Sequence, residues 1–366
     1  MSKSDHLKIL HAAVSMNPSI GVVHQMEWEL AAARQLDLQW DVTLHTPKKI
    51  ESSVVYHWGN LPAQKIIRYY QLRKKFYEWL VEHEKKYDFI LLRHSVHDLF
   101  EWQLAKKISR KLITVHHTLE TNELKIDGIT GKFRSLLEQQ IGSATLNQCQ
   151  GIIAVTNEIL DHQLHRRKSS TEPWSFVYPN GIYLDEDLVC EDHRNLLPEL
   201  IFTAHNFSHW HGLDLLLESV KESNAECRIH IVGNVSPKDL EGCLNDSRFV
   251  VHGKLSKSDI YKIMGHMWCG ISSLALERKG MSAACPLKTR EYLSLGLPTY
   301  GNYTDPALPP DFPYFRHGSP SFSEILEFAQ KMRSISKNKI QEASKPFISK
   351  AILLNKLYHS LSKNLT

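Results

Sequence analysis

The run Pro286-Leu287-Lys288-Thr289-Arg290-Glu291-Tyr292-Leu293-Ser294-Leu295-Gly296-Leu297-Pro298 sets a proline before helix-forming residues and closes them with a Gly-Leu-Pro stop. That order predicts an irregular loop, then a helix opened by Pro286. A helix start offers free N–H groups and a partial positive charge, and both attract phosphate. Glu291 falls within about a turn of that start. A carboxylate there can accept hydrogen bonds from two neighbouring hydroxyls. Diphosphate plus diol is the chemistry of a nucleotide sugar.

Further polar groups fall where apolar runs end. Asn17-Pro18-Ser19-Ile20-Gly21 follows the first of them and opens a helical pattern. Ser19 and Gly21 suit a loop beside an acceptor or a phosphate, and equally a plain turn. A single glycine is far from a GxGxxG fingerprint, which argues against a dinucleotide site. His116, the first residue after its strand, is placed to hydrogen-bond a substrate hydroxyl; the plainer role is a turn histidine capping a helix. In the stretch 201–214, His205, Asn206, Ser208, His209 and His211 can donate to phosphate oxygens, and Gly212 permits close backbone approach. That stretch holds no Lys or Arg, so a polar surface turn explains it as well. Gly233 and Gly253 each follow a strand pattern and together can shape a slot for a planar base. Glu277, Arg278, Lys279 and Gly280 belong to the long loop before Pro286, and loops of that length are more often functional than decorative.

These residues need a scaffold. Short apolar runs at 7–14, 40–45, 54–58, 89–93, 112–116, 152–155 and 175–178 read as strands, with helical patterns at 22–36, 62–84, 97–108, 132–146 and 158–166. A second series has strands at 199–204, 228–232, 249–252, 268–272 and 299–301, with helices at 213–220, 238–243, 257–266 and 287–295. Alternation of this kind predicts parallel sheets flanked by helices, hence two successive α/β domains. Such sheets bind ligands beyond the carboxyl ends of their strands. The loops to watch therefore follow Val14, His116, Ala204, Val232, His252 and Ser272. The tail is helical. Ser321 and Glu324 have capping-box spacing, Pro346 is expected to break the pattern, and the last helix can pack on either domain.

Composition sets outer bounds. The 366 residues suffice for two cores, and a net charge of +4 is too mild to demand nucleic acid. It is compatible with an anionic membrane surface. The basic clusters at 73–75, 106–111 and 166–168 read as solvated helix faces. Six scattered cysteines without a CxxC pair predict a reducing compartment and no zinc site. No HExxH spacing occurs, and Asp185-Glu186-Asp187 reads as a solvated connector, so no metal or cofactor is expected. The opening residues lack a signal-peptide shape and no apolar run reaches membrane-span length, which predicts a cytoplasmic chain.

Asn180-Gly181, the strand–loop–helix around His211-Gly212, the Gly253 turn and the run from Pro286 to Pro298, in that order, resemble retaining glycosyltransferases of the GT-B fold. The chain is more narrowly similar to the family 4 enzymes of bacterial exopolysaccharide, capsule or O-antigen assembly. The resemblance implies a GT-B architecture, two Rossmann-like domains facing a central cleft. Residues 1–178 would form the acceptor domain, 179–345 the nucleotide-sugar domain, and 346–366 a C-terminal helix with the option of packing back on the first domain. It implies a nucleotide-sugar donor and a glycan or lipid-linked acceptor, with the enzyme at the inner face of the cytoplasmic membrane as one setting. The family's second motif glutamate, which holds the ribose, falls on Glu291, with Pro286 and Leu287 at the head of its helix. The first, which contacts the sugar, would fall on Ala283, a departure for which Glu277 in the same loop is the candidate substitute. The family's diphosphate-binding Arg and Lys would fall on Asn206 and His211. Lys288, Arg290, Arg278 or Lys279 are the alternative sources of positive charge. His116 matches the family's histidine that contacts the transferred sugar. The implied reaction is metal-independent transfer with retention of configuration. The rivals are a nucleotide-sugar epimerase of the same fold and a glycosyltransferase-like partner that has lost donor binding.

Overall fold

The computed structural model describes residues 7–184 and 192–364. Residues 1–6, the acidic connector at Asp185, Glu186 and Asp187, and Cys190 lie outside the described residues. The chain divides into two compact units, Met1–Tyr183 with Lys350–Thr366, and Leu184–Ser349.

In the first unit, β1 (Ile9–Val14), α1 (Ile20–Gln35), β2 (Trp40–Thr46), β3 (Val55–His57), α2 (Lys65–His83), β4 (Phe89–Arg93) and α3 (Leu99–Lys107) come first. They are followed by β5 (Leu112–His116), α4 (Glu120–Lys125), α5 (Gly128–Leu146), β6 (Gly151–Ala154), α6 (Asn157–Arg166) and β7 (Trp174–Val177). The strands form one parallel sheet in the order β3-β2-β1-β4-β5-β6-β7. The central strands β1, β5 and β6 are buried along their whole length, as parallel strands covered on both faces must be.

The second unit contains β8 (Glu199–Asn206), α7 (Leu213–Lys221), β9 (Arg228–Asn234), α8 (Pro237–Leu244), β10 (Phe249–Gly253) and α9 (Lys257–Met264). After these come β11 (Cys269–Ile271), α10 (Leu287–Ser294), β12 (Thr299–Gly301), β13 (Phe315–His317), α11 (Phe322–Met332) and α12 (Lys337–Ile348). Its parallel sheet runs β10-β9-β8-β11-β12-β13. The last helix, α13 (Lys350–Asn364), returns to the first unit, where Leu353, Leu354, Leu357 and Leu361 join the core beneath α1.

Several local expectations need correction. Asn206 is not a loop residue: β8 extends to it and pairs Asn206 with Asn234, so the loop starts two residues later than the apolar run suggested. Gly21 lies inside the first turn of α1, because Ser19 accepts from the Val22 N–H and caps the helix before it. Ser321 makes no capping hydrogen bond; Glu324 instead accepts from Ser319 and Tyr300. Pro346 does not break its helix. Ile340, Ser344 and Ile348 are buried on one face and carry α12 past it, and the break comes at Ser349, whose backbone is extended. Arg166 is not solvated but buried against Glu138. The sequence patterns also passed over α4 and the short edge strand β13.

Candidate functional site

In the second unit the strand order reverses between β8 and β11, which lie side by side. In open α/β sheets the crevice at such a switch point, beyond the carboxyl ends, is where ligands sit. The loop leaving β8 carries His211 and Gly212. The loop leaving β11 carries Glu277 and Arg278 and ends in α10 with Lys288 and Glu291. The two loops are joined: the Leu274 N–H donates to the His211 carbonyl at 2.9 Å, and the Arg278 guanidinium donates to the His209 carbonyl at 2.7 Å. Gly212 is left-handed at φ 75°, and a Cβ there would meet the Leu274 Cβ at 2.9 Å, so a side chain would force these loops apart.

Helix α10 is aimed by its buried face. Thr289 bonds the Tyr303 hydroxyl at 2.5 Å and donates to Ser272 at 3.1 Å, while Arg290 makes a fully buried, two-bond pair with Asp305 at 2.5 and 2.7 Å. The Tyr292 hydroxyl accepts from the Thr203 N–H at 2.9 Å on β8. Arg290 therefore supplies no free positive charge. Lys288 and Glu291, three apart, share the other side of the helix. No side chain caps α10, whose N-cap is Pro286, and no acidic residue occupies its first turn, where Leu287 stands first.

The Lys288 ammonium is buried and has no hydrogen-bond partner among the described residues; it sits 5.1 Å from the centre of the Phe202 ring. Burial lowers its pKa to about 7, although Glu291 pulls the other way. Glu291 accepts no hydrogen bond at its carboxylate among the described residues. Burial raises its pKa, opposed by Lys257 and Lys288. Lys257, the first residue of α9, was not singled out as a site residue, although the sequence pattern began its helix at that position. Isolated buried charges are costly. An uncapped helix start, an unpartnered ammonium and an unpartnered carboxylate one turn on form an arrangement that a ligand with an anionic end and a hydrogen-bond-donating end would complete.

The other expected residues fall out as follows. His211 accepts the Ser208 N–H at Nδ1, 2.9 Å, which leaves its proton on Nε2; burial and the nearby Lys288 lower its pKa to about 2, so it is a neutral donor. Arg278 is occupied by Asp214 through two bonds of 2.9 Å. Lys279 lies 4.6 Å from the Trp210 ring centre. Glu277 is exposed on a 3-10 turn, and Ala283 forms an isolated bridge with Thr304. The Asn206 side-chain oxygen accepts from Asn234 at 2.7 Å. Gly233 has φ 128°, and a Cβ there would overlap the Ala204 carbonyl, so glycine is required for β9 to pass β8. Gly253 also has positive φ but open space around it.

In the first unit, His116 closes β5 and is fully buried. Its Nδ1 lies 2.7 Å from Glu120. Burial raises the Glu120 carboxyl, yet His116 and His94 outweigh it and bring the pKa down to about 2. His116 is itself lowered, first by burial, so it is a neutral ring that donates from Nδ1 to an ionised carboxylate. Its Nε2 is an acceptor with no partner among the described residues. Such a nitrogen suits a hydroxyl donor. Ser19 is exposed at the start of α1. Among the described residues no group of three or more His, Cys, Asp or Glu is arranged to hold a metal ion.

No protein-family model and no curated protein sequence matches this chain. Solved structures do match its fold over nearly its whole length. A glycosyltransferase from Rickettsia africae is 14% identical at a TM-score of 0.66, covering 98% of this chain and 99% of the other. The sucrose-phosphate synthase of Thermosynechococcus elongatus is 15% identical at a TM-score of 0.67, with 97% and 99% covered. Anabaena HepE in complex with UDP-glucose is 12% identical at a TM-score of 0.66, with 98% and 100% covered. The chain has the two Rossmann-like domains of the GT-B fold.

Proposed function

We propose that the protein is a glycosyltransferase that moves a sugar from a nucleoside-diphosphate sugar to a glycan or lipid-linked acceptor, with retention at the anomeric carbon and in the setting of bacterial surface-polysaccharide assembly. The observation that carries this reading is the pairing on α10 of a buried Lys288 ammonium with a Glu291 carboxylate, neither hydrogen-bonded among the described residues, at an uncapped helix start on the switch point of the second sheet. The diphosphate would take the α10 N–H groups, Lys288 and the His211 Nε2–H. The ribose hydroxyls would donate to Glu291. The likeness in fold to glycosyltransferases, one of them in complex with UDP-glucose, supports the same reading.

In this mechanism the donor's bond from anomeric carbon to diphosphate oxygen breaks as negative charge grows on the leaving group. The helix start and Lys288 stabilise that charge without a metal ion. The acceptor hydroxyl attacks from the leaving-group face and loses its proton to the departing phosphate, so no protein nucleophile is needed. His116 would accept a hydrogen bond from a hydroxyl of the transferred sugar.

Thermal shift with UDP, GDP, ADP, CMP and their common sugar conjugates tests the donor site. One nucleotide is expected to stabilise the wild type and to lose its effect in Glu291→Ala. No shift with any of them would overturn the reading and favour a partner protein without donor binding. Epimerisation of the sugar nucleotide in the absence of acceptor would replace transfer with epimerase chemistry.

A further inference from the structure

Helix α10 is tied to the segment that leads into it. Thr304 forms a parallel bridge with Ala283; its N–H donates to the Ser282 carbonyl at 2.9 Å, and its carbonyl accepts from the Ala284 N–H at 3.1 Å. The residues on either side of Thr304 hold the helix, since Tyr303 bonds Thr289 and Asp305 pairs with Arg290. Residues 282–284 and the first turn of α10 are therefore one block, and the helix start cannot shift against the segment before it. Ala283 lies four residues ahead of Leu287, the first residue of α10. That keeps it within about 14 Å of the helix start along the chain.

The side chains of this segment differ from the rest of the site. Met281-Ser282-Ala283-Ala284-Cys285-Pro286 has no carboxylate, amide or cationic side chain. Met281 and Cys285 are buried, Ala283 and Ala284 are half-buried, and Ser282 and Thr304 are exposed. What the block offers a ligand is two alanine methyl groups with a hydroxyl on either hand. The carboxylates around it are engaged elsewhere. Asp305 accepts from Arg290 at 2.5 and 2.7 Å, from the Ala307 N–H at 3.1 Å and from the Cys285 thiol at 3.8 Å. Glu277 lies beyond the left-handed Gly280, on a turn whose Arg278 is fastened to Asp214 and the His209 carbonyl.

In a nucleoside-diphosphate sugar the sugar is bonded to the terminal phosphate. A diphosphate on the α10 start therefore sets the sugar beside the segment that enters the helix. We propose that Ala283 and Ala284 are specificity-determining residues for the donor and that the transferred sugar is a deoxy sugar, with C–H or methyl where a plain hexose carries a hydroxyl. The inference rests on the donor reading above and extends it to the sugar. A hydroxyl turned onto two methyl groups gives up its water and gains no partner, which costs free energy. A C–H or methyl in that place forfeits no hydrogen bond and buries apolar surface. A wall of carboxylates or amides would set the opposite preference, because its own polar groups would be stranded by the deoxy sugar.

The test is titration calorimetry of the full chain with UDP, GDP and ADP, with their glucose conjugates, and with the 3-, 4- and 6-deoxyglucose conjugates of each. One deoxy conjugate is expected to bind about tenfold more tightly than the glucose conjugate of the same base. In Ala283→Glu the order should reverse, because a carboxylate there accepts a hydrogen bond from the hydroxyl. Should that variant fold poorly, Ala284→Ser adds a single hydroxyl and should narrow the gap, and the comparison on the wild type needs no variant at all. A nucleotide that binds while its glucose conjugate binds as tightly as all three deoxy forms overturns this inference and leaves the donor site standing. Deoxy preference unchanged in both variants also overturns it, since the sugar would then lie away from Ala283 and Ala284. Absence of binding by all three nucleotides overturns the donor reading itself, and this inference with it.

Discussion

The carboxyl edges of the two sheets handle polar side chains in opposite ways. In the first unit, His94 lies between Glu101 at 2.6 Å and Glu138 at 3.1 Å, Arg166 reaches Glu138, and Gln163 donates to Glu120 at 2.7 Å. Burial disfavours charge on His94, but the two carboxylates outweigh it and hold the ring well above its usual range. There the carboxylates Glu101, Glu120 and Glu138 are all answered from within the chain, although the His116 and His117 Nε2 atoms have no partner among the described residues. In the second unit, the buried Lys288 ammonium and the half-buried Glu291 carboxylate are hydrogen-bonded by nothing among the described residues. A saturated network fixes a fold, whereas an unsaturated one stores an unmet electrostatic demand that a ligand can meet.

The strongest way to break this contrast is to damage the saturated side. Glu138→Ala should cost about 3–5 kcal/mol in urea unfolding, because it strands Arg166 and His94 in the interior. A loss below about 1 kcal/mol would mean that water already shares that network. Next comes Lys288→Met, expected to weaken nucleoside-diphosphate binding by about 10- to 100-fold in calorimetry. The same change should leave the unliganded protein as stable or more stable, since it removes a desolvated ammonium without a partner. Destabilisation would show that Lys288 is structural after all.

Glu291→Ala should cost about tenfold for the nucleotide and leave inorganic pyrophosphate binding unchanged, which separates the diol contact from the phosphate contact. Equal loss for both ligands would put Glu291 in a general electrostatic role. The smallest effect is in pH. The Lys288 pKa is lowered from 10.5 to about 7, so the ammonium is complete below pH 7 and is lost above it. Diphosphate affinity should therefore fall as pH rises past 7, by at most about tenfold per unit. The unliganded protein should instead gain stability across the window from about 7 to 10.5, as the buried charge is relieved. Lys288→Arg should flatten the affinity profile, because guanidinium stays charged.

The fold class was legible because buried parallel strands leave apolar runs bounded by helical patterns, as at Leu112–His116 and Gly151–Ala154. Pro286 and Glu291 could be placed on a helix for a similar reason: cap and stop residues lie close together in the chain. The network around Glu138 was invisible, since His94 lies 44 residues away and Arg166 lies 28 away. Arg290 read as a free cation only because its partner, Asp305, is 15 residues further on. Which face of α5 turns inward was not legible either. Its 3.6-residue period gives a helix correctly, but periodicity carries no sign and cannot tell which face turns inward.

The chain leaves the first unit after Tyr183 and re-enters it at Lys350, and the Lys350 N–H donates to the Ile182 carbonyl at 2.8 Å. Exit and entry points are thus adjacent. Beside them the buried Glu29 accepts from Tyr178 at 3.2 Å and lies 3.8 Å from the Lys350 ammonium. Topologically the second unit is an insertion in a continuous first one. A gene in which residues 184–349 were replaced by a short turn would encode a closed chain with its last helix already in register, and the excised segment would begin and end at one point of its host.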